Sequence, residues 1–247
     1  NGEFAFKPFE GSAWLTRCYL DAEKAVIPAK VKIEGVEYPV VGIFAVPGNA
    51  YDGFQPQDIF VHKESIKTLV IPDSFKKLER LYLPNLTTVK IGSGVEYISC
   101  LAFWPSEKLE TVTVDAKNPN YMSKDNVVFT KDGKELVYCP IGKTGSYAIP
   151  EGVTTLGTQC IWKNQGLTEV KIPASVTKID VCSILDCAKL TDIVNLAKTP
   201  QDADGAFHLC PPEDFEKITL HVPSGCKEAY QQAFYWKEFK HIVDDAK

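Results

Sequence analysis

"LTEVKIPASVTKIDVCSILDCAKLTDIV", residues 167–194, contains nearly the same phrase twice. The letters LTEV at 167–170 return as LTDI at 190–193, so the step from Leu167 to Leu190 is 23 residues. Leu86 and Leu109 are separated by the same step. A constant period of this length is typical of repeat architectures, in which every copy forms one supersecondary unit.

The repeated unit has the pattern L-x-x-V-x-I-P-x-S-V-x-x-I. Its copies begin at Ile66, Leu86, Leu109, Leu167 and Leu190, and a degenerate copy begins at Ile218. On a strand, Val170 and Ile172 share one face, and Glu169 and Lys171 point the other way. Pro173 lacks an N–H group and ends the strand. A chance duplication within an ordinary α/β domain is the alternative, but the shared register of five copies favours a solenoid with a parallel sheet.

The copies resemble those of the BspA-like leucine-rich repeat family of bacterial surface and secreted proteins. The resemblance rests on "LTEVKIPASVTKI" from Leu167, "YISCLAF" around Phe103, "AFHLC" at 206–210, the hairpin-like stretch 118–140 and the terminal "HVPSGCKEAYQQAFYWKEFKHIVDD". It covers about residues 24–245, and the chain departs from the pattern at 44–65. It implies a right-handed, β-rich leucine-rich-repeat solenoid of the α/β repeat class.

We expect a single solenoid domain over residues 1–247. Its predicted segments are an N-terminal β cap at 1–43, repeats at 44–114, an inserted β-hairpin at 115–148, repeats at 149–222 and a C-terminal helical cap at 223–247. Asp132-Gly133 supplies the hairpin turn. Apolar spacing predicts a helix over 224–236 with Ser224 as its N-cap.

The composition of the chain limits the classes of partner that it can bind and the places where it can be located. The net charge is −5, and the Lys and Arg residues are scattered singly or in pairs, which argues against nucleic acid as a partner. No apolar run approaches the length of a membrane span. The resemblance implies a secreted or outer-surface-anchored protein, so we presume that a signal peptide has been removed, and we expect a monomer in solution.

No catalytic, metal-binding or cofactor-binding motif stands out in the sequence. The four histidines lie far apart, and no zinc spacing or G-x-S-x-G is present. Cys187 and Cys210 occupy the same repeat position, 23 residues apart, and are expected to be buried structural thiols. "DADG" at 202–205 resembles the start of a calcium loop but has its glycine too early, so a polar turn is favoured.

Two sets of residues are candidates for binding. The outward face of the sheet contains Thr88, Lys90, Thr111, Thr113, Glu169 and Lys171. The second set consists of tryptophans, of which four are interpreted as exposed: Trp14, Trp104, Trp162 and Trp236. Trp104 and Trp162 come directly after the same position of the repeat, so they would form a row on the surface. The alternative is that both pack against the outer arc of the solenoid. The resemblance implies adhesion to an extracellular protein or glycan. A carbohydrate-binding accessory protein of a glycan-uptake system and a scaffold without a ligand are the alternatives.

Overall fold

The protein is described here from a computed structural model, which covers residues 2–43, 58–207 and 210–247. The chain forms two compact units, Asn1–Asn126 and Val127–Lys247. The single domain over 1–247 stays a prediction. Residues 44–57 of the predicted repeat segment 44–114, and residues 208–209 of "AFHLC", lie outside the described residues.

The main elements of the first unit are strands. They are β1 (Phe4–Phe9), β2 (Ser12–Cys18), β3 (Lys24–Val26), β4 (Lys30–Ile33), β5 (Val36–Ile43), β6 (Thr68–Val70), β7 (Lys77–Leu78), β8 (Thr88–Ile91), β9 (Tyr97–Ile98), β10 (Thr111–Val114) and β11 (Tyr121–Lys124).

The second unit adds short helices to its strands. The strands are β12 (Val127–Thr130), β13 (Glu135–Tyr138), β14 (Thr144–Ala148), β15 (Thr155–Leu156), β16 (Ile161–Trp162), β17 (Gly166–Ile172), β18 (Lys178–Ile179), β19 (Ile184–Leu185), β20 (Asp192–Asn195), β21 (Thr219–Pro223) and β22 (His241–Ala246). The helices are α1 (Pro212–Lys217), α2 (Lys227–Gln232) and a 3₁₀ turn at Trp236–Glu238.

Each unit has one main sheet of parallel strands, as the repeat predicts. The main sheet of the first unit has the order β10-β8-β6-β3, and that of the second has the order β14-β17-β20-β21-β22. Shorter parallel pairs follow on the returning arc of each repeat, such as β7 with β9 and β15 with β18. The solenoid fold class is therefore confirmed. Its handedness and the protective role of its two ends stay predictions.

The inward side chains of the repeat form the core of each unit. In the opening stretch, Val170 and Ile172 are fully buried, and Val176 and Ile179 on the arc are 1% exposed. The in-register partner of Val170 is Ile193, which is also fully buried. Strand stacking therefore extends one apolar row through the unit, and burying such rows is the main stabilising contribution.

Buried asparagines form hydrogen bonds with main-chain N–H and C=O groups at the point where a repeat enters its strand. Asn164 donates from Nδ2 to the Pro140 carbonyl at 2.9 Å and to the Lys143 carbonyl at 3.1 Å. Its Oδ1 accepts the N–H groups of Gly166 and Leu167 at 2.9 and 2.6 Å. All the main hydrogen-bonding capacity of this amide is used, which offsets the cost of burying it.

The predicted hairpin is confirmed, and the predicted terminal helix is wrong in its bounds. β12 pairs antiparallel with β13, and Gly133 in their turn has φ +70°. The helix expected over 224–236 is only α2, whose N-cap is Cys226 rather than Ser224. Ala233 is extended and Tyr235 has φ +63°, so the chain breaks between α2 and the 3₁₀ turn.

The first 43 residues, predicted as a β cap, contribute strands to two sheets. β3 joins the main sheet of its unit instead of the N-terminal sheet. The N-terminal sheet has the order β1-β2-β5-β4. Within the part of the chain that the structure describes, no helix has the length and hydropathy needed to cross a lipid bilayer.

Candidate binding surface

The outward face of the first unit's main sheet is two rows of side chains in register. Thr88 pairs with Thr111 and Lys90 with Thr113, as the repeat predicts. The rows continue over β6 and β3. They are Lys24, Thr68, Thr88 and Thr111 in one row, and Val26, Val70, Lys90 and Thr113 in the other.

A groove of about 560 Å³ follows the second row. Its apolar wall includes Val26, Pro28, Val70 and Pro72. Val26 is 50% exposed, which is high for a valine on a paired strand. An exposed apolar strip of this kind is a usual feature of a binding surface.

The polar part of this groove contains two of the predicted residues. Lys90 and Thr113 line it together with Asp115. Thr88 and Thr111 lie on the same outward face, one row away from the lining. The structure therefore brings all four predicted residues of this unit onto one surface, and whether they bind a partner stays a prediction.

Two glycines allow the backbone to approach closely beside the groove. A Cβ on Gly92 would lie 2.5 Å from the carbonyl carbon of Pro72, and one on Gly94 would lie 1.9 Å from the Asp73 carbonyl oxygen. The Asp73 carboxylate accepts the Ser93 N–H at 2.7 Å and fixes the same contact. Glycine is therefore required where these two turns stack.

Sequence reasoning missed the apolar wall, although a signal for it exists. Residues 26–28 and 70–72 both have the letters VIP, so the segment before the first recognised copy is itself part of a repeat. Its β3 pairs in parallel with β6, with Val26 opposite Val70. Because residues 1–43 are interpreted only as a cap, the sequence analysis does not recognise this copy.

The outward face of the second unit is polar, and its side chains form hydrogen bonds. Ser146 Oγ donates to Glu169 Oε1 at 2.6 Å. Lys171 Nζ donates to the Lys247 carbonyl at 2.7 Å. Glu169 and Lys171 point away from the core as predicted, but they are half-buried rather than fully exposed.

A histidine on this face bridges two carboxylates. His221 Nε2 lies 2.9 Å from Asp192 Oδ1, and His221 Nδ1 lies 2.7 Å from Asp245 Oδ1. Partial burial lowers the pKa of His221, but the hydrogen bonds that its ring donates to Asp192 and Asp245 outweigh this effect, so the pKa is raised above its ordinary value. The Thr191 hydroxyl and His221 lower the pKa of Asp192. The bridge therefore links β20 to β22 across β21 most strongly when the imidazole is charged.

We expect the stabilising contribution of His221 to depend on pH. Because its pKa is raised in the folded state, the contribution is complete below the unfolded value of about 6.5 and is lost as pH rises through the folded value. Since the bridge is partly exposed to solvent, His221→Gln should lower the free energy of unfolding by about 1 kcal/mol at mildly acidic pH and by much less near pH 9. Urea titrations at the two pH values measure the difference.

The matched control for this experiment is His241→Gln. His241 lies on the next strand of the same face and is exposed. Lys171 and Glu169 are the nearest other charges along the paired rows and are unchanged in both variants. An equal effect of His221→Gln at both pH values would contradict the charged bridge.

The tryptophans predicted as a row are half-buried, and one assumed to be exposed is in the core. Trp104 lies in a turn of the first unit, beside a cis bond to Pro105. Trp162 lies on β16 of the second unit, with Lys163 Nζ 5.5 Å from its ring. Because they belong to different units, the row stays a prediction. The interpretation of Trp236 as exposed is wrong, since its side chain is fully buried.

The two cysteines at the repeat position both donate hydrogen bonds to main-chain carbonyls, but only Cys187 is buried as predicted, and Cys210 is half-buried. Cys187 Sγ donates to the Ile161 carbonyl at 3.3 Å, and Cys210 Sγ donates to the Ile184 carbonyl at 3.7 Å. Burial raises the pKa of Cys139, Cys187 and Cys210 to about 12. The thiolate is the nucleophile, so these thiols are poorly suited to covalent chemistry.

We expect the buried thiols to resist alkylation in the native protein. All eight cysteines, each at a described position, are free, and Cys100 is exposed while Cys139, Cys160 and Cys187 are buried. Iodoacetamide labelling followed by peptide mass spectrometry should find Cys100 modified first and these buried three only after denaturation. Thiol titration of the denatured, unreduced protein should recover eight thiols. Finding no free thiol at Cys187 and Cys210 would refute the structural assignment.

The polar turn at 202–205 also has a structural explanation. Asp202 Oδ1 accepts the Asp204 N–H at 3.2 Å, and Gly205 has φ +77°. Ala203 between them is buried. These contacts describe a side-chain-stabilised turn.

The sequence matches the family model for the BspA type leucine-rich repeat region, in six copies over residues 56–130 and 137–244. This chain belongs to the BspA-type leucine-rich repeat family. Members are typically bacterial surface proteins, and leucine-rich repeats of this type indicate a protein-interaction module. No curated protein matches the chain in sequence.

Several solved structures are similar to this chain. One is a leucine-rich cell surface protein from Faecalibacterium prausnitzii A2-165, with 18% identity over 100% of this chain and 94% of that one and a TM-score of 0.45. Another is the leucine-rich repeat protein of T. pallidum, with 15% identity over 79% and 82% and a TM-score of 0.47. The pneumococcal vaccine antigen PcpA has 12% identity over 100% and 98% and a TM-score of 0.42. The family assignment rests on the repeat match and the strand register.

Proposed function

We propose that the chain is a non-enzymatic interaction module of a secreted or surface-anchored bacterial protein, which adheres to extracellular macromolecules of a host or neighbouring cell. The observation that supports this most is the preformed groove on the outward face of the first unit. A preformed surface lowers the ordering cost of binding.

The chemistry of the groove favours a polypeptide partner over a glycan. None of the described residues that line it is aromatic, so it offers no ring face on which a sugar could stack. Val26, Val70 and the two prolines accept apolar side chains, and Lys90 and Asp115 can pair with charges of either sign.

We expect the affinity of a single copy to be low. Aromatic and arginine anchors usually supply most of the energy of an interface, and the described residues of the groove lining include neither. The dissociation constant should therefore be about micromolar or weaker. Adhesion would depend on many copies on one surface, where effective concentration raises the apparent affinity by about 10²–10⁴.

Surface plasmon resonance with the soluble protein tests this proposal. Immobilised extracellular matrix proteins and a glycan array are probed first with monomer and then with streptavidin-clustered protein. We expect weak monovalent binding to at least one protein and a large gain on clustering. Nanomolar monovalent binding would contradict the avidity argument, and binding to glycans alone would favour the carbohydrate-binding alternative.

A further inference from the structure

A second groove lies along the edges of the N-terminal sheet. It has a volume of about 430 Å³ and is lined by Glu3, Phe4 and Phe6 from the β1 side and by Lys30, Val31 and Lys32 of β4, with Val26 and Pro28 between them. β1 and β4 are the two outer strands of one sheet with the order β1-β2-β5-β4. Residues of both outer strands therefore line the same groove.

The groove follows the edge of β4 rather than one of its faces. Successive side chains of a strand point to opposite faces, so a groove lined by Lys30, Val31 and Lys32 together runs along the strand. Among the described residues, β4 pairs only with β5, and β1 pairs only with β2. Each edge therefore has main-chain groups that no strand of the described chain pairs.

The side chains around this edge form an apolar side and a cationic side. The ring centroids of Phe4 and Phe6 lie 6.1 Å apart, which makes a continuous aromatic wall. The stretch from Lys24 to Ile33 contains three lysines and no acidic residue.

One of those lysines is already paired. Lys30 Nζ lies 2.8 Å from Glu37 Oε1. Lys24 and Lys32 are exposed and form no ion pair within residues 2–43, 58–207 and 210–247. The carboxylate in the lining, Glu3, lies on the side of β1.

We propose that the groove between β1 and β4 is a strand-addition site that binds an extended, acidic segment of a partner protein. The added strand pairs its main chain with the free edge of β4, as in other complexes formed by strand addition. Alternation in the ligand places apolar side chains toward Phe4, Phe6 and Val31 and a carboxylate toward Lys32, while Lys30 stays paired with Glu37. Lysines on an edge oppose pairing with a second basic edge, so the same residues that select an acidic strand disfavour self-association.

Val26 and Pro28 line both this groove and the groove on the outward face of the main sheet, so the two proposals are separated by variants at Lys32 and Lys90, each of which lines one groove only. The probe is a short blocked, fluorescein-labelled peptide in which Glu and Val alternate. Two matched peptides serve as controls, one with Lys in place of Glu and one with a central Pro, which removes an N–H donor and breaks strand pairing. Fluorescence anisotropy should show saturable binding of the Glu–Val peptide and about tenfold or weaker binding of both controls.

The protein variants are Lys32→Glu and, as a control, Lys77→Glu. Both lysines are exposed, but Lys77 lies on β7 of the returning arc in the same unit. Lys32→Glu should weaken peptide binding about tenfold and Lys77→Glu should leave it unchanged. Hydrogen exchange with bound peptide should show added protection in β4.

Three outcomes would overturn the proposal. The first is equal binding of the peptide with the central Pro, and the second is protection confined to strands outside β1 and β4. The third is concentration-dependent dimerisation of the free protein, measured by analytical ultracentrifugation and lost in Lys32→Glu, since the groove would then bind a second copy of the chain.

Discussion

Replacing Ile172 with aspartate is expected to lower the free energy of unfolding by about 3–5 kcal/mol. Ile172 is fully buried and faces the core from β17. Its in-register neighbour Asn195 is also fully buried, and that amide is already paired with Gln201 at 2.8 and 2.9 Å. The new carboxylate would therefore enter the core without a partner.

The control for this variant is Thr168→Asp on the same strand. Thr168 is exposed, so the same charge is added without burial. Chemical denaturation monitored by circular dichroism should give a change within about 0.5 kcal/mol for the control. Similar losses in the two variants would show that the inward and outward assignments of β17 are incorrect.

Trp236→Ala is expected to cost about 3–5 kcal/mol because it removes the largest side chain buried in the second unit. The indole lies 5.3 Å from the Phe207 ring and 5.4 Å from the Tyr230 ring, centroid to centroid. Its Nε1 donates to the Gln201 carbonyl at 3.1 Å, and truncation would also leave this carbonyl without its donor.

Phe234→Ala is the matched control for the tryptophan. Phe234 lies two residues earlier and is 66% exposed, so its truncation removes little buried area. Thermal unfolding should show a large fall in the melting temperature for Trp236→Ala and little change for Phe234→Ala. The reverse order would contradict the packing of this terminal segment.

The regular part of the fold could be predicted because the repeat determines the strand register. Copies of equal length place Glu169 opposite Asp192 and Val170 opposite Ile193, so one pattern assigns inward and outward faces for many strands. The cysteine position follows from the same logic, since Cys187 and Cys210 make equivalent contacts in successive repeats.

The irregular parts depend on contacts that no local pattern contains. Apolar spacing over 224–236 predicts a helix, but Trp236 packs against Phe207 and Tyr230, and the chain breaks at Tyr235 to place it there. Lys171 Nζ donates to the carbonyl of Lys247, which is 76 residues away in sequence. The groove of the N-terminal sheet likewise combines residues of its two outer strands, which no sequence pattern relates.

The candidate surface could be predicted only as a face and not as a groove. Periodicity places Lys90 and Thr113 outward, and the structure agrees. The groove needs the copy at Val26–Pro28 and the close stacking of Gly92 on Pro72, and both depend on how distant segments meet. No periodic pattern contains that information.

One binding measurement tests the proposed binding surface most directly. Surface plasmon resonance compares the wild-type protein with Lys90→Glu plus Thr113→Arg, two exposed changes in the groove, on the partner identified in the panel. The control is Lys189→Glu plus Thr177→Arg, which makes the same charge changes at exposed positions of the second unit, outside its main sheet. We predict that the groove variant weakens binding about tenfold or more and that the control stays within about twofold of wild type. Equal binding by all three proteins would contradict the proposed binding surface.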